Sequence, residues 1–316
     1  MNFTILRHWF NYDMIDWSSL SKYSNNIDFL NENLDKIDWK SLSCNIYAIE
    51  ILEKHIDNIN WFNLSSNINA MSILINNQDK IVWSEFSKNM NGLFLLKQNI
   101  DKINWFWLSI YCSDIEFLEQ HIDKIFWPSL SSNKYAIPLL EKYIDKIDWK
   151  YLSSNVNAIP LLEKNIDKIN WYYLSFNVNA IKILQNNLDK INWNKLSMNI
   201  NAINIIKNNL DKIDWDIFLY TTLYTNIILQ NINNISNWNF ILSNEFAIDI
   251  IENNLDKFTE LELFSLNKNM FTYDYKKIKQ AKSCITEGLA MYFLHPSKIQ
   301  KFLENNNNID EYEYFK

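Results

Sequence analysis

A tryptophan recurs every 22 residues through most of this 316-residue chain, at Trp17, Trp39, Trp61, Trp83, Trp105, Trp127, Trp149, Trp171, Trp193 and Trp215. No insertion or deletion interrupts these ten repeats. A catalytic constellation has no reason to return at a fixed period, whereas a stack of identical supersecondary units produces that regularity. Such a stack grows in one dimension, so the length does not call for several separate globular cores.

The repeat around Trp149 shows the local logic. Asp or Asn precedes the tryptophan at Asp16, Asp38, Asn60, Asn104, Asp148, Asn170, Asn192 and Asp214. Their side-chain oxygens suit a helix N-cap, where they accept from unpaired first-turn amides. Pro128, next after Trp127, sits where a first-turn proline loses no hydrogen bond. Trp149 and Leu152 are one helical turn apart, so the tryptophan opens a short first helix. Pro138 and Pro160 each follow an Ala-Ile pair, which is harmless if a second helix starts two or three residues earlier. That places its N-cap at Asn157 and at the equivalent Asn69, Asn91, Asn179 and Asn201. Asn165, with Asn33, Asn77, Asn99, Asn187 and Asn209, then falls at the helix end. Helices commonly stop on a left-handed residue, usually Gly, with Asn the best substitute. Gly occurs only at Gly92 and Gly288, so Asn is expected to take that conformation.

The fold class that follows is all-α: an α-solenoid of about eleven two-helix repeats with N- and C-terminal caps. Trp149, Leu152, Ile159, Leu162, Ile166 and Ile169 form the expected apolar set of one repeat. Residues 1–16 read as the N-terminal cap and 17–257 as the solenoid. Residues 258–316 read as a degenerate last repeat and a C-terminal helical cap. A leucine-rich horseshoe is the alternative, since its period includes this one; the Trp-x-x-Leu spacing favours a helical turn over an alternating strand.

Composition excludes several functions. The net charge of -7, with most Lys beside an Asp, argues against nucleic acid as a partner. Cys44, Cys112 and Cys284 share no spacing and fit neither a disulfide framework nor a zinc site, which points to a reducing compartment. Arg7, His8 and Asp13 interrupt the place of a signal-peptide core. The late apolar run Leu289–Leu294 is too short to span a bilayer. An intracellular, non-secreted protein without a membrane partner is therefore expected.

No enzyme chemistry emerges either. His55 and His121 occupy the helix-stop position of their repeats, and no two histidines have ligand spacing, so neither metal nor cofactor is expected. The serine at Ser21, Ser43, Ser65, Ser87, Ser109, Ser131, Ser153, Ser175 and Ser197 is one repeat position. A nucleophile does not come in nine copies, and these serines are expected to bond back to the preceding turn. The Asp-Lys pairs, such as Asp167-Lys168, read as a solvated loop edge.

Variable positions are more informative. The first and second places after the tryptophan hold Phe62, Phe106, Trp107, Tyr151, Tyr172 and Tyr173 in some repeats and Ser, Lys, Asn or Asp in others. Packing therefore does not demand aromatics there. On a fixed scaffold such positions accumulate binding specificity, and aromatics are favoured interface anchors. These six residues form the candidate protein-binding site; padding between layers is the competing role.

The phrase Ser-x-Asn-x-Asn-Ala-Ile-x-x-Leu-Glu-x-Asn-x-Asp-Lys-Ile-Asn-Trp, carried here from Ser153 to Trp171, resembles a tandem repeat of giant amoeba-infecting DNA viruses of the mimivirus type. The likeness covers most of the chain. Glu287-Gly288-Leu289-Ala290 and His295-Pro296-Ser297-Lys298-Ile299 are similar to a terminal motif of proteins from those viruses. The family repeat often reads Asn-Pro-Asn-Ala-Ile; here Ile46, Ile68, Met90, Val156, Val178 and Ile200 replace that proline, leaving second-helix starts less sharply fixed. The resemblance implies a viral origin, placement in host cytoplasm or virus factory, and no known activity. A non-enzymatic, monomeric scaffold that binds a host or viral protein is the expected function. A self-associating virion or virus-factory component is the alternative.

Overall fold

The computed structural model describes residues 4–221 and 223–273. The chain forms two compact units, Asn11–Met270 and the flanking Met1–Phe10 with Phe271–Lys316. In the flanking unit Thr4–Leu6 pairs antiparallel with Phe271–Tyr273, Ile5 opposite Thr272. The expected C-terminal cap helices and the His-Pro motif fall in 274–316, outside the described residues.

The larger unit is an all-α solenoid. Its repeat comprises a first helix (Trp149–Leu152), a second helix (Ile159–Glu163) and a 3-10 turn (Ile166–Lys168) that leads to the next tryptophan. Helices this short do not persist alone in water, so packing between repeats stabilises them. The expected caps form at the first helices: the Asp148 carboxylate accepts from the Lys150 and Tyr151 amides, and Asn170 accepts from Tyr173. Two further first helices, both 3-10 segments, follow at Trp238–Ile241 and Leu261–Leu266. The described array thus has the expected eleven two-helix repeats, followed by the first helix of a degenerate twelfth. One added residue precedes each of Trp238 and Leu261, and leucine takes the tryptophan's place in the twelfth.

Both expected boundaries of the second helix need correction. Its N-cap is Ala158, without a side-chain cap bond, and not Asn157. The amide of Asn157 donates to Asn155 Oδ1 at 3.1 Å, which builds a turn ahead of the helix. The Asn157 side chain instead donates to Lys134 O in the preceding repeat at 2.8 Å. At the other end, no described residue has positive φ. Asn165 sits at φ -135°, ψ 51°, and its Nδ2 donates to Leu161 O at 2.9 Å. Asn33, Asn77, Asn99, Asn187 and Asn209 repeat that bond. Asn stops the helix by satisfying an orphan carbonyl with its side chain, not by adopting a left-handed backbone. His121 reproduces the contact through Nδ1, 2.9 Å from Phe117 O.

Leu152, Ala158, Leu161, Leu162 and Ile169 form the buried core of a repeat. Ile159 is half-buried and Ile166 exposed, contrary to the expected apolar set. Trp149 is half-buried, its ring under Lys168 Nζ at 4.7 Å. The same lysine covers Trp61, Trp83, Trp171 and Trp193. Within the Asp-Lys column only Lys36, Lys146 and Lys257 reach the adjacent Asp among the described residues. Its lysines mainly shield indole faces, which combines cation–π attraction with a wet ammonium.

Two polar ladders tie repeat to repeat. The column serines from Ser43 to Ser197 bond back as expected, Ser153 Oγ donating to Trp149 O at 2.7 Å. Every column serine also accepts from the next repeat, Ser153 from the Asn170 amide at 2.9 Å. The second ladder consists of buried asparagines. Asn155 Nδ2 donates to Ser131 O at 3.1 Å and Asn133 O at 2.9 Å, both in the preceding repeat. Tyr23, Tyr111 and Thr221 stand where the ladder lacks its asparagine, and there the first helix lengthens to Trp17–Tyr23, Trp105–Tyr111 and Trp215–Thr221.

The array closes on itself. Ser265 of the twelfth repeat accepts from the Asp16 amide of the first at 2.8 Å, the bond that Ser21 makes with Asp38 of the second. Leu261–Leu266 packs against Trp17–Tyr23 as consecutive first helices do elsewhere. The backbones of first helices approach their neighbours more closely than those of second helices, which meet through side chains such as Ser72 and Glu53, so the first helices take the inner side of the closed array.

Candidate protein-binding face

Burial of Leu152 and Ser153 leaves the first, second and fifth places after the tryptophan facing outward from the first helix in most repeats, with Ser129 and Asn239 the buried exceptions. The second place runs Ser19, Ser41, Asn63 and Glu85 in repeats one to four. From repeat five it reads Trp107, Ser129, Tyr151, Tyr173, Lys195, Ile217, Phe240 and Leu263. One arc of the face is polar, and the remainder is largely aromatic or aliphatic.

The expected site residues fall into two clusters on this arc and one outlier. Tyr151 and Tyr173 are 5.8 Å apart between ring centroids, and Tyr172 and Phe176 lie 5.2 and 6.0 Å from Tyr173. Lys150 Nζ sits 5.3 Å from the Tyr151 ring and 5.4 Å from Tyr173; Lys195 lies 5.0 Å from Tyr172. In repeat five, Phe106 meets Trp107 edge-on at 4.8 Å, Trp107 stacks on Tyr111 at 6.2 Å, and Lys88 Nζ lies 4.1 Å over Trp107. Glu85 holds that lysine at 2.6 Å. Phe62 stands alone in repeat three.

Exposure divides the six. Phe62, Phe106 and Tyr172 are 53%, 42% and 46% exposed, whereas Trp107, Tyr151 and Tyr173 are half-buried. Adjacent rings shield one another and the lysine stems cover their faces. The rings remain open on one side, so they are not padding sealed between layers.

Ile217, Phe240 and Leu263 were missed in the sequence, although the regular second-place column reaches Ile217 and its extension through the two 23-residue spacings leads to Phe240 and Leu263. With Met198, Tyr220 and Leu266 they wall an apolar cleft of about 490 Å³, which Asp214, Asp216 and Asn239 also line. The cleft lies where the serine ladder is broken: Leu219 and Leu242 take the serine position in repeats ten and eleven. From repeat eleven, Asn239 instead reaches the segment that leads into the twelfth first helix, donating to Thr259 Oγ1 at 2.8 Å and accepting from its amide at 3.1 Å.

Among the described residues no three His, Cys, Asp or Glu side chains cluster to hold a metal, and no helix is long and apolar enough to cross a membrane. No protein-family model, curated protein or solved structure matches the chain.

Proposed function

We propose that this chain is a non-enzymatic scaffold of viral origin that binds another protein, host or viral, through the aromatic arc of its first helices. The observation that carries the reading is the Tyr151–Tyr173 pair with Lys150 against both rings. Packing does not require it, because the same place holds Ser19, Ser41 and Asn63 in other repeats. Clustered rings with partly desolvated cations offer the area and directional charge that binding hot spots use. The viral origin, and with it host cytoplasm or virus factory as the location, rests on the repeat phrase and the His-Pro segment. Neither nucleic acid nor membrane is invoked as a partner. Self-association finds less support, because the Asp16–Ser265 contact occupies the end faces through which an open solenoid would polymerise.

The test is a Trp107, Tyr151, Tyr173 triple alanine variant compared with wild type by cross-linking and mass spectrometry in infected cells. The expected result is unchanged helical circular dichroism with loss of the protein cross-linked to the arc. Retention of that cross-linked protein by the variant would overturn the reading, as would a wild-type chain whose cross-links run only to copies of itself.

A further inference from the structure

We infer that the cleft of repeats nine to twelve is an anchor pocket for a bulky apolar side chain carried beside an Arg or Lys on the bound protein. The inference rests on the scaffold reading and adds the chemistry of the partner. Met198, Tyr220 and Phe240 at its mouth are 43%, 54% and 39% exposed, while Leu263 and Leu266 are half-buried. A volume of about 490 Å³ suits one large side chain with its neighbour, within the usual range of ligand pockets.

Charge selects among apolar occupants. Lysines of the chain itself cover the arc's rings at Trp107, Tyr151 and Tyr172, but no lysine lines the cleft. Its acids are Asp214 and Asp216. Asp214 is engaged as a helix cap, accepting from the Ile217 amide at 3.1 Å. Asp216 accepts from Ser236 Oγ at 3.4 Å and has no ion pair among the described residues. A carboxylate at the edge of an apolar cleft, with no cation of its own, is complemented by a basic group next to the apolar anchor. Complementarity of this kind also rejects an acidic neighbour, because like charges in contact are unfavourable.

The experiment uses methyl-labelled full-length protein and two probes, N-acetyl-Trp-Arg amide and N-acetyl-Trp-Glu amide, followed by methyl NMR. The Arg peptide should shift the Met198, Ile217 and Leu266 methyl resonances saturably, with at least about fivefold tighter binding than the Glu peptide, a modest charge preference. Asp216→Asn should bring the two peptides within about twofold of each other. Ser243→Trp, which fills the cleft, should abolish the shifts while resonances of repeats two to six stay in place. The inference fails if neither peptide moves these methyls, if the two bind alike, or if Asp216→Asn leaves the preference intact. It fails equally if the methyls shift with protein concentration alone, since a second copy then fills the cleft. Loss of Tyr151 and Tyr173 should not alter this readout, so failure here strikes the cleft and not the scaffold reading.

Discussion

Gly92 and Phe86 are fitted to one another: a Cβ on Gly92 would lie 2.1 Å from Phe86 Cζ. Most other repeats carry the pair as Leu and Ala, for example Leu152 with Ala158, both fully buried. The fourth repeat has enlarged one partner and reduced the other, keeping the core filled. The loop before its second helix becomes a 3-10 turn, Met90–Gly92, and Asn89 Oδ1 has no hydrogen-bond partner there. Gly92→Ala should therefore destabilise the protein by about 1–3 kcal/mol through overpacking. Adding Phe86→Leu should recover most of that loss. Urea melts of the two single variants and the double variant check it; a double variant no better than Gly92→Ala would show that the pair is not coupled.

The asparagine ladder makes a stronger demand. Removing the Asn155 side chain deprives Ser131 O and Asn133 O of their donor at buried positions and the Asn157 amide of its acceptor. Asn155→Ala should cost about 2–4 kcal/mol, given that each unsatisfied buried group costs about 1–3 kcal/mol. Asn157→Ala, which removes one exposed bond to Lys134 O, should cost less than about 1 kcal/mol. Thermal melts with equal losses for the two would refute the ladder's role.

These asparagines show where the sequence was legible. The period, the first-helix caps and the two-helix repeat could be read because each rests on local rules: Asp148 caps the turn beside it, and Leu152 lies one turn from Trp149. Asn155 could not be placed, because its partners Ser131 and Asn133 are more than twenty residues away and nothing local distinguishes it from Asn157. Closure was hidden for the same reason, since Ser265 and Asp16 are 249 residues apart. Of the candidate site, the Tyr151–Tyr173 pair was readable from the repeat spacing, whereas Phe240 and Leu263 lie where that spacing slips and Ile217, though in register, is aliphatic and does not stand out among the aromatics.

Asn165 also yields a different expectation from the one its sequence position suggests. A left-handed stop would make Asn165→Gly neutral. At φ -135° Gly gains nothing from its freedom, and the bond from Nδ2 to Leu161 O is lost. The variant should be destabilised by about 1 kcal/mol. Calorimetry giving a neutral or stabilising change would restore the left-handed assignment.

Asp114 links stability to pH. Lys97 Nζ bonds it at 2.6 Å, and its other oxygen accepts from the Phe117 amide at 2.9 Å, capping Ile115–Gln120. The Lys97 hydrogen bond first, and then the Phe117 amide, hold the carboxyl below its ordinary value. A folded pKa below the unfolded one stabilises above the unfolded value and is lost as pH falls through the folded value. Asp114→Asn keeps a cap acceptor but not the charge, so it should be less stable by about 0.2–1 kcal/mol at neutral pH. The difference should vanish in acid below the carboxylate range. Melting curves from pH 7 to pH 2 that keep a constant gap would exclude this ion pair as its source.

Closure of the array is the most far-reaching relationship to test. In an open solenoid the outer faces of the terminal repeats are wet, yet Leu20 in the first repeat and Phe264 in the twelfth are 2% and 0% exposed, like Leu152 in mid-array at 0%. The Asp16 amide should exchange with solvent as slowly as that of Asp148, which donates to Ser131 Oγ at 2.9 Å. Ser265→Ala removes the acceptor at the junction and should cost about 1 kcal/mol, with faster exchange at Asp16 and no change at Asp148. Phe264→Ala should open the junction outright, at about 3–5 kcal/mol. It should also broaden the unfolding transition, because an open array has free ends from which repeats can fray one by one. Fast exchange at Asp16 in the wild type, or a Ser265→Ala variant in which it remains as protected as before, would show that the first and twelfth repeats are not joined in solution.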